Sequence, residues 1–263
     1  MINIQINKYA TGLCLALFVV FGIGLTRFPA GYVATATASE RTTAISQSTM
    51  GLTSTSYTTK TWNETAGTTT YGYYAANVAK SGSNISFRGS NSTSSRGYIY
   101  NTAAGGSTIS RITSITLTQT GTARAWIGYF GTSQNPTGNS VTKTAASSIT
   151  WTVTGAYNYF KLVCNEKNSK NATVTGISVM FYPLLSSISI NTQPTTKTFY
   201  VGQTFSSAGM AILQNYADGT TATSSGWTTN YDSHVFTSSD IGTKTVTVSY
   251  TEPSSTSVTT VTK

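Results

Sequence analysis

Apolar and polar residues alternate with a period of two through much of this chain. Ile85 and Phe87 alternate with Ser86 and Arg88, and Ile115 and Leu117 with Thr116 and Thr118. Ala123, Ala125, Ile127 and Tyr129 share one face against Arg124, Trp126, Gly128 and Phe130 on the other. Ile149, Trp151 and Val153 alternate with threonine. Phe160, Leu162 and Cys164 face away from Tyr157, Tyr159, Lys161 and Val163, and Ile177, Val179 and Phe181 close the series. Short runs of this kind are half-buried strands. Turn signals separate them at Ala104–Ser107, Gly131–Gly138 and Asn165–Asn171. No strand–helix–strand alternation is present. The pattern predicts an all-β chain whose residues 62–183 form a β-sandwich or jelly-roll-like domain. Before it, residues 39–61 are polar and read as a loose arm or an edge strand.

A second series begins after Pro183. Ile188 and Ile190 alternate, followed by Phe199 and Val201, Met210 and Ile212, and Val246, Val248 and Tyr250. Ala217-Asp218-Gly219-Thr220 is a hairpin turn, because glycine tolerates the positive φ that such a turn needs. Residues 184–263 are therefore a second, smaller β-sandwich. With no Gly/Ser-rich linker between the two, the joint is expected to be stiff.

The second series carries a resemblance. Leu185-Ser186-Ser187-Ile188, Tyr200 to Phe205, Gly209-Met210, Tyr216 to Gly219 and Asp240 to Tyr250 together resemble a bacterial Ig-like domain of the group 3 type. Residues 222–236, with Trp227 and His234, depart from that pattern. The stretch Trp62 to Tyr182 is more loosely similar to β-sandwich modules that precede such repeats in secreted proteins of Firmicutes and mollicutes. The resemblance implies a small Ig-like β-sandwich at the C-terminus and a secreted or cell-surface module. It implies no catalysis.

Composition sharpens the location. Only 9% of the 263 residues are charged, against about 25% in an ordinary soluble domain. Serine and threonine fill about a third of the chain, as strands favouring β-branched residues would. At the N-terminus Lys8 precedes the uncharged apolar run Thr11–Thr26, and small residues at Ala34, Ala36 and Ala38 fit cleavage after Ala36 or Ala38. Residues 1–38 read as a secretory signal peptide. The run spans about 24 Å as a helix, short for a hydrocarbon core of about 30 Å; a retained anchor is the alternative. Leu13 before Cys14 does not suit a lipoprotein. The expected location is extracellular or on the cell surface, with no stable membrane insertion after cleavage.

Proton-handling side chains are scarce: one histidine, seven acids and two cysteines. Glu64 and Glu166 are the only acids of residues 62–183 and would have to meet to act as a hydrolytic pair. His234 with Asp232 or Asp240 is too little for a zinc site or a serine triad. Asp218, Asp232 and Asp240 match no calcium loop, and Lys197 or Lys244 matches no isopeptide motif. Cys164 reads as a small buried hydrophobe. No phosphate loop is present. The chain is therefore expected to be non-enzymatic, with no catalytic, metal or cofactor residues and no cofactor, and its ligand-binding residues are left open.

Charge and aromatics point to a partner. Residues 41–183 hold eleven bases (Arg41, Lys60, Lys80, Arg88, Arg96, Arg111, Arg124, Lys143, Lys161, Lys167, Lys170) and two acids, a net +9. Residues 184–263 are near neutral. Tyr71, Tyr73, Tyr74, Tyr98, Tyr100, Trp126 and Trp151 are interleaved with those bases. Exposed rings stack on sugars or bases and positive charge attracts polyanions. The expected function is binding or adhesion to an anionic wall polymer or glycan, with nucleic acid as another polyanion. A carbohydrate-binding module, which would need exposed Trp62, Trp126 or Trp151, and the accessory region of an extracellular hydrolase or nuclease are the alternatives.

Overall fold

The computed structural model describes residues 2–7, 40–66, 69–102, 109–251 and 260–262. The apolar run Thr11–Thr26, the expected cleavage positions Ala36 and Ala38 and the Ala104–Ser107 turn signal lie outside these residues. Strands are the main regular elements of the described chain, with two short 3-10 turns at Thr93–Ser95 and Ser238–Asp240. No described helix is long and apolar enough to cross a membrane.

Strand β1 (Ile2–Asn7) belongs to the C-terminal sheets described below. Residues 41–183 form one continuous sheet. In chain order its strands are β2 (Arg41–Ile45), β3 (Thr58–Ala66), β4 (Thr69–Ser81), β5 (Asn84–Phe87), β6 (Tyr98–Asn101), β7 (Ile109–Thr120), β8 (Trp126–Gly131), β9 (Ser140–Lys143), β10 (Ser148–Thr152), β11 (Tyr159–Cys164) and β12 (Ala172–Pro183). Their spatial order is β10-β7-β12-β5-β4-β6-β11-β8-β9, with β2 added to β12 and β3 to β4. The all-β, sandwich-like body expected from the alternation is present, built from a single antiparallel sheet folded over on itself. Its two ends nearly meet: Trp151 of β10 donates its indole N–H to the Val141 carbonyl of β9 at 3.0 Å. Edges that would otherwise stay open are thereby protected.

The period of two decides which side chains enter. Along β8, β11 and β12 buried and half-buried residues alternate. The inward set includes Phe87, Ile99, Ile115, Leu117, Trp126, Trp151, Phe160, Leu162 and Phe181. The stretch 39–61 is built into this body: β2 pairs with β12 from Ile45↔Ile177 to Arg41↔Phe181, and Ile45, Met50 and Leu52 lie in the core. Across the core the Thr43 and Tyr73 hydroxyls meet at 2.7 Å.

Only Leu184 separates β12 from β13 (Leu185–Thr192). The strands that follow are β14 (Thr198–Tyr200), β15 (Ala211–Tyr216), β16 (Thr221–Ser224), β17 (Trp227–Thr229), β18 (Gly242–Val246), β19 (Val248–Thr251) and β20 (Thr260–Thr262). They form three small sheets, β13-β15-β16, β17-β19-β20 and β14-β1-β18, around a separate core that includes Leu185, Phe199, Ile212, Phe236, Val246 and Tyr250. The Asp218-Gly219 turn, with Gly219 at φ 75°, reaches back to the first body. Arg41 Nε lies 3.3 Å from Asp218 Oδ2, and Arg41 Nη2 donates to Thr220 Oγ1 at 3.0 Å.

Candidate functional site

Strand register assembles a row of side chains that are scattered in sequence. Tyr74 of β4 stands opposite Tyr100 of β6, Tyr100 opposite Lys161 of β11, and Lys161 opposite Tyr129 of β8. Two residues along, Tyr98 stands opposite Val163, and Val163 opposite Ile127. Directly opposed residues share a face of the sheet. The intervening residues, Ile99, Leu162 and Gly128, are buried on the other face. The aliphatic Ile99 puts Tyr98 and Tyr100 together on the opposite face.

The rings of Tyr74, Tyr98 and Tyr100 pack against one another, and Tyr100 is only 9% exposed. Tyr98 and Tyr100 lie 6.2 Å apart between centroids with planes 10° from parallel. Tyr74 lies 5.0 Å and 25° from Tyr100. Lys161 Nζ sits over the Tyr98 ring, 4.6 Å from its centroid. A groove of about 470 Å³ lies over the part of this face formed by Tyr98, Lys161, Val163, Ile127 and Tyr129, with Thr93, Ser94, Pro136 and Thr137 also lining it; Tyr74 and Tyr100 lie outside its lining. Burial lowers the Lys161 pKa. Burial also raises the Tyr98 pKa, with Tyr74 adding to the shift. No carboxylate pairs with Lys161 among the described residues, so its ammonium is balanced by ring faces alone.

The walls are rigid for identifiable reasons. Arg96 is buried; it donates to the Ser90 carbonyl at 3.1 Å and to Asn165 Oδ1 at 2.7 Å, which fixes the Thr93–Ser95 turn against the end of β11. Buried Asn101 accepts from the Phe160 N–H and donates to the Asn158 carbonyl, both at 2.8 Å, and so sets β6 against β11.

The aromatics expected to meet a partner divide in two. Tyr71, Tyr73, Trp126 and Trp151 fill the core, and Trp62 is 8% exposed. No tryptophan of residues 62–183 offers a stacking surface, and with Trp62, Trp126 and Trp151 all buried the carbohydrate-binding-module alternative loses the exposed tryptophans it requires and is set aside. Tyr98 and Tyr129 are the rings that line the groove, whereas Tyr100, 9% exposed, is buried like Trp62. The sequence places Tyr129 in a strand and Pro136 and Thr137 in a turn, but not among the residues expected to meet a partner.

Several of the eleven bases are also taken up internally. Arg41 holds Asp218, and Arg124 donates to the Asn171 carbonyl at 3.1 Å. Arg88 lies over Tyr57 and Arg111 over Tyr182. At the groove the positive charge is that of Lys161 and of Arg96, whose hydrogen bonds go to neutral oxygens and leave its charge in place.

The scarce acids serve turns and strand ends. Glu64 accepts from the Trp62 indole at 2.8 Å and Glu166 from the Ala125 N–H at 2.9 Å. Asp232 accepts from the Thr229 N–H at 2.8 Å, and Asp218 from Arg41 and the Thr220 N–H. Asp240 accepts from the Thr237 N–H and hydroxyl, each at 2.9 Å, and from His234 Nε2 at 3.2 Å. Those bonds to Thr237, with His234 assisting, lower its pKa from the ordinary 3.8 to about 2. Lys244 completes the turn with an ion pair of 3.7 Å to Asp240. No three metal-ligating groups come together among the described residues. Cys164 is fully buried, and burial pushes its thiol up to about 11.

No family model, curated protein or solved structure matches this chain.

Proposed function

We propose that this is a secreted or cell-surface binding protein that holds an acidic polysaccharide in the Tyr98–Lys161 groove without converting it. Residues 184–263 would serve as an Ig-like spacer. One observation carries the reading: the groove-lining ring of Tyr98, backed by the near-parallel ring of buried Tyr100, with a partly desolvated lysine over it that no carboxylate pairs. Sugar rings present flat C–H faces that stack on such rings, while hydroxyls bond to the wall residues. Lys161 then favours a carboxylate, sulfate or phosphate on the sugar, because a charge-assisted hydrogen bond to an anion is stronger than one to a neutral group. The use of the acids as turn acceptors and of Cys164 as core supports holding rather than turnover.

Retention of the full chain on immobilised polygalacturonate, on uncharged dextran and on duplex DNA tests this. Retention should be strongest on polygalacturonate and absent on DNA. Since Lys161 and Arg96 line the groove without a carboxylate partner among the described residues, the logarithm of affinity should fall with the logarithm of salt by a slope of at most about two, far shallower than for a many-phosphate contact. Equal retention on DNA, or none on either polysaccharide, would overturn the proposal.

A further inference from the structure

The C-terminal body contains a seat for one strand that residues 184–251 do not supply. β14 and β18 do not pair with each other; β1 lies between them. It runs parallel to β14, with Gln5↔Thr198, Ile6↔Phe199 and Asn7↔Tyr200. It runs antiparallel to β18, from Ile2↔Val246 to Ile6↔Gly242. Phe199 and Val246 are core residues, whereas Thr198, Thr243 and Thr245 are exposed. The seat thus has an inner side that calls for apolar residues at alternate positions and an outer side that suits polar ones. The segment Ile2-Asn3-Ile4-Gln5-Ile6-Asn7 has that pattern. Vacated, the seat would leave two rows of backbone N–H and C=O groups unpaired and the core open beside Phe199 and Val246.

Export and self-filling exclude each other. Cleavage after Ala36 or Ala38 removes β1. A retained leader places Thr11–Thr26 in the bilayer, with Lys8 and β1 on the cytoplasmic side and residues 184–263 on the other. In either case β1 cannot reach its seat. Resting on the export reading, we propose that the β14–β18 cleft is a strand-acceptor site. In the exported protein it takes an extended segment of another polypeptide, at least six residues long, apolar at alternate positions and uncharged between them. Main-chain hydrogen bonds to two edges supply affinity, and the positions opposite Phe199 and Val246 supply selectivity.

The probe is a fluorescent peptide of sequence MINIQIN, added to the full chain purified with its N-terminus intact. Wild type, whose seat is filled, should bind it weakly. Ile4→Pro removes a donor from the middle of the strand and should open the seat, giving at least tenfold tighter binding. A peptide carrying proline at its fourth position should bind neither chain. Hydrogen exchange at residues 243–246 should be slow in wild type, fast in Ile4→Pro and slow again with peptide. Ile6→Asp is the second opener should Ile4→Pro aggregate. If the peptide fails to bind either opened variant while exchange there is fast, the acceptor site is refuted and export is untouched. If cells retain the protein internally with residues 1–7 intact, the export reading fails and the external occupant with it.

Discussion

Arg41 and Asp218, 177 residues apart, form the ion pair that ties the second body to the first. Asp218 is 3% exposed and Arg41 about a third exposed. The hairpin is held twice more, by Arg41 on Thr220 and by the Ala217 N–H on the Leu184 carbonyl at 2.8 Å. With a single residue between β12 and β13, these contacts restrict the joint.

Arg41→Ala leaves a buried carboxylate without its cation. Losing one partner of a fully buried pair costs about 3–5 kcal/mol; with one side of this pair open to water, about 1–2 kcal/mol is expected. Thermal unfolding should shift down by several degrees and broaden as the two cores uncouple. An unchanged transition would show that the pair carries no load.

Asp240 sets an acid limit on its turn. Its folded pKa, about 2, lies below the ordinary 3.8, so its stabilisation is fully present above about pH 4 and is lost as pH falls through about 2. Denaturant midpoints measured between pH 5 and pH 2 should decline in wild type more than in Asp240→Asn. Parallel curves would contradict the assignment.

Cys164 is predicted to be inert while the chain is folded. With its thiol near 11, little thiolate exists at pH 8, and its burial blocks access. In a Cys14→Ser background, iodoacetamide should label the protein slowly until denaturant unfolds it. Rapid labelling of the native state would place Cys164 outside the core.

Gly128 makes room for Trp151. A Cβ at Gly128 would lie 2.7 Å from Trp151 Nε1 and 3.0 Å from its Cδ1. Trp151 is buried and hydrogen bonded to β9, so it has nowhere to move. Gly128→Ala should cost about 1–3 kcal/mol, as overpacking does, and should alter tryptophan fluorescence. Wild-type stability in this variant would show that the sheet closure is slack.

The strands were legible because alternation in sequence is alternation of faces. Ile99 between Tyr98 and Tyr100, or Leu162 between Lys161 and Val163, fixes inside and outside locally. Parity also separates Tyr71 and Tyr73, inside, from Tyr74, outside. Register across strands is not local. Nothing near Tyr98 in the chain announces Lys161 or Tyr129, so the groove was invisible as a unit. The same holds for Arg41 and Asp218, and for the meeting of β9 with β10. Ile2, Ile4 and Ile6 alternate with polar residues, but in residues 1–38 the apolar run and the small residues after it point to a leader, not to a strand of the fold.

Calorimetric titration of galacturonate oligomers into the full chain, comparing wild type with Tyr98→Ala and Lys161→Gln, tests the central proposal most directly. Loss of one stacked ring costs about 1–3 kcal/mol in nucleobase sites, so Tyr98→Ala should weaken binding by about tenfold or more. Lys161→Gln should weaken it less and reduce its dependence on salt. Equal affinity in all three proteins, or no heat of binding in wild type, would contradict a glycan site in this groove.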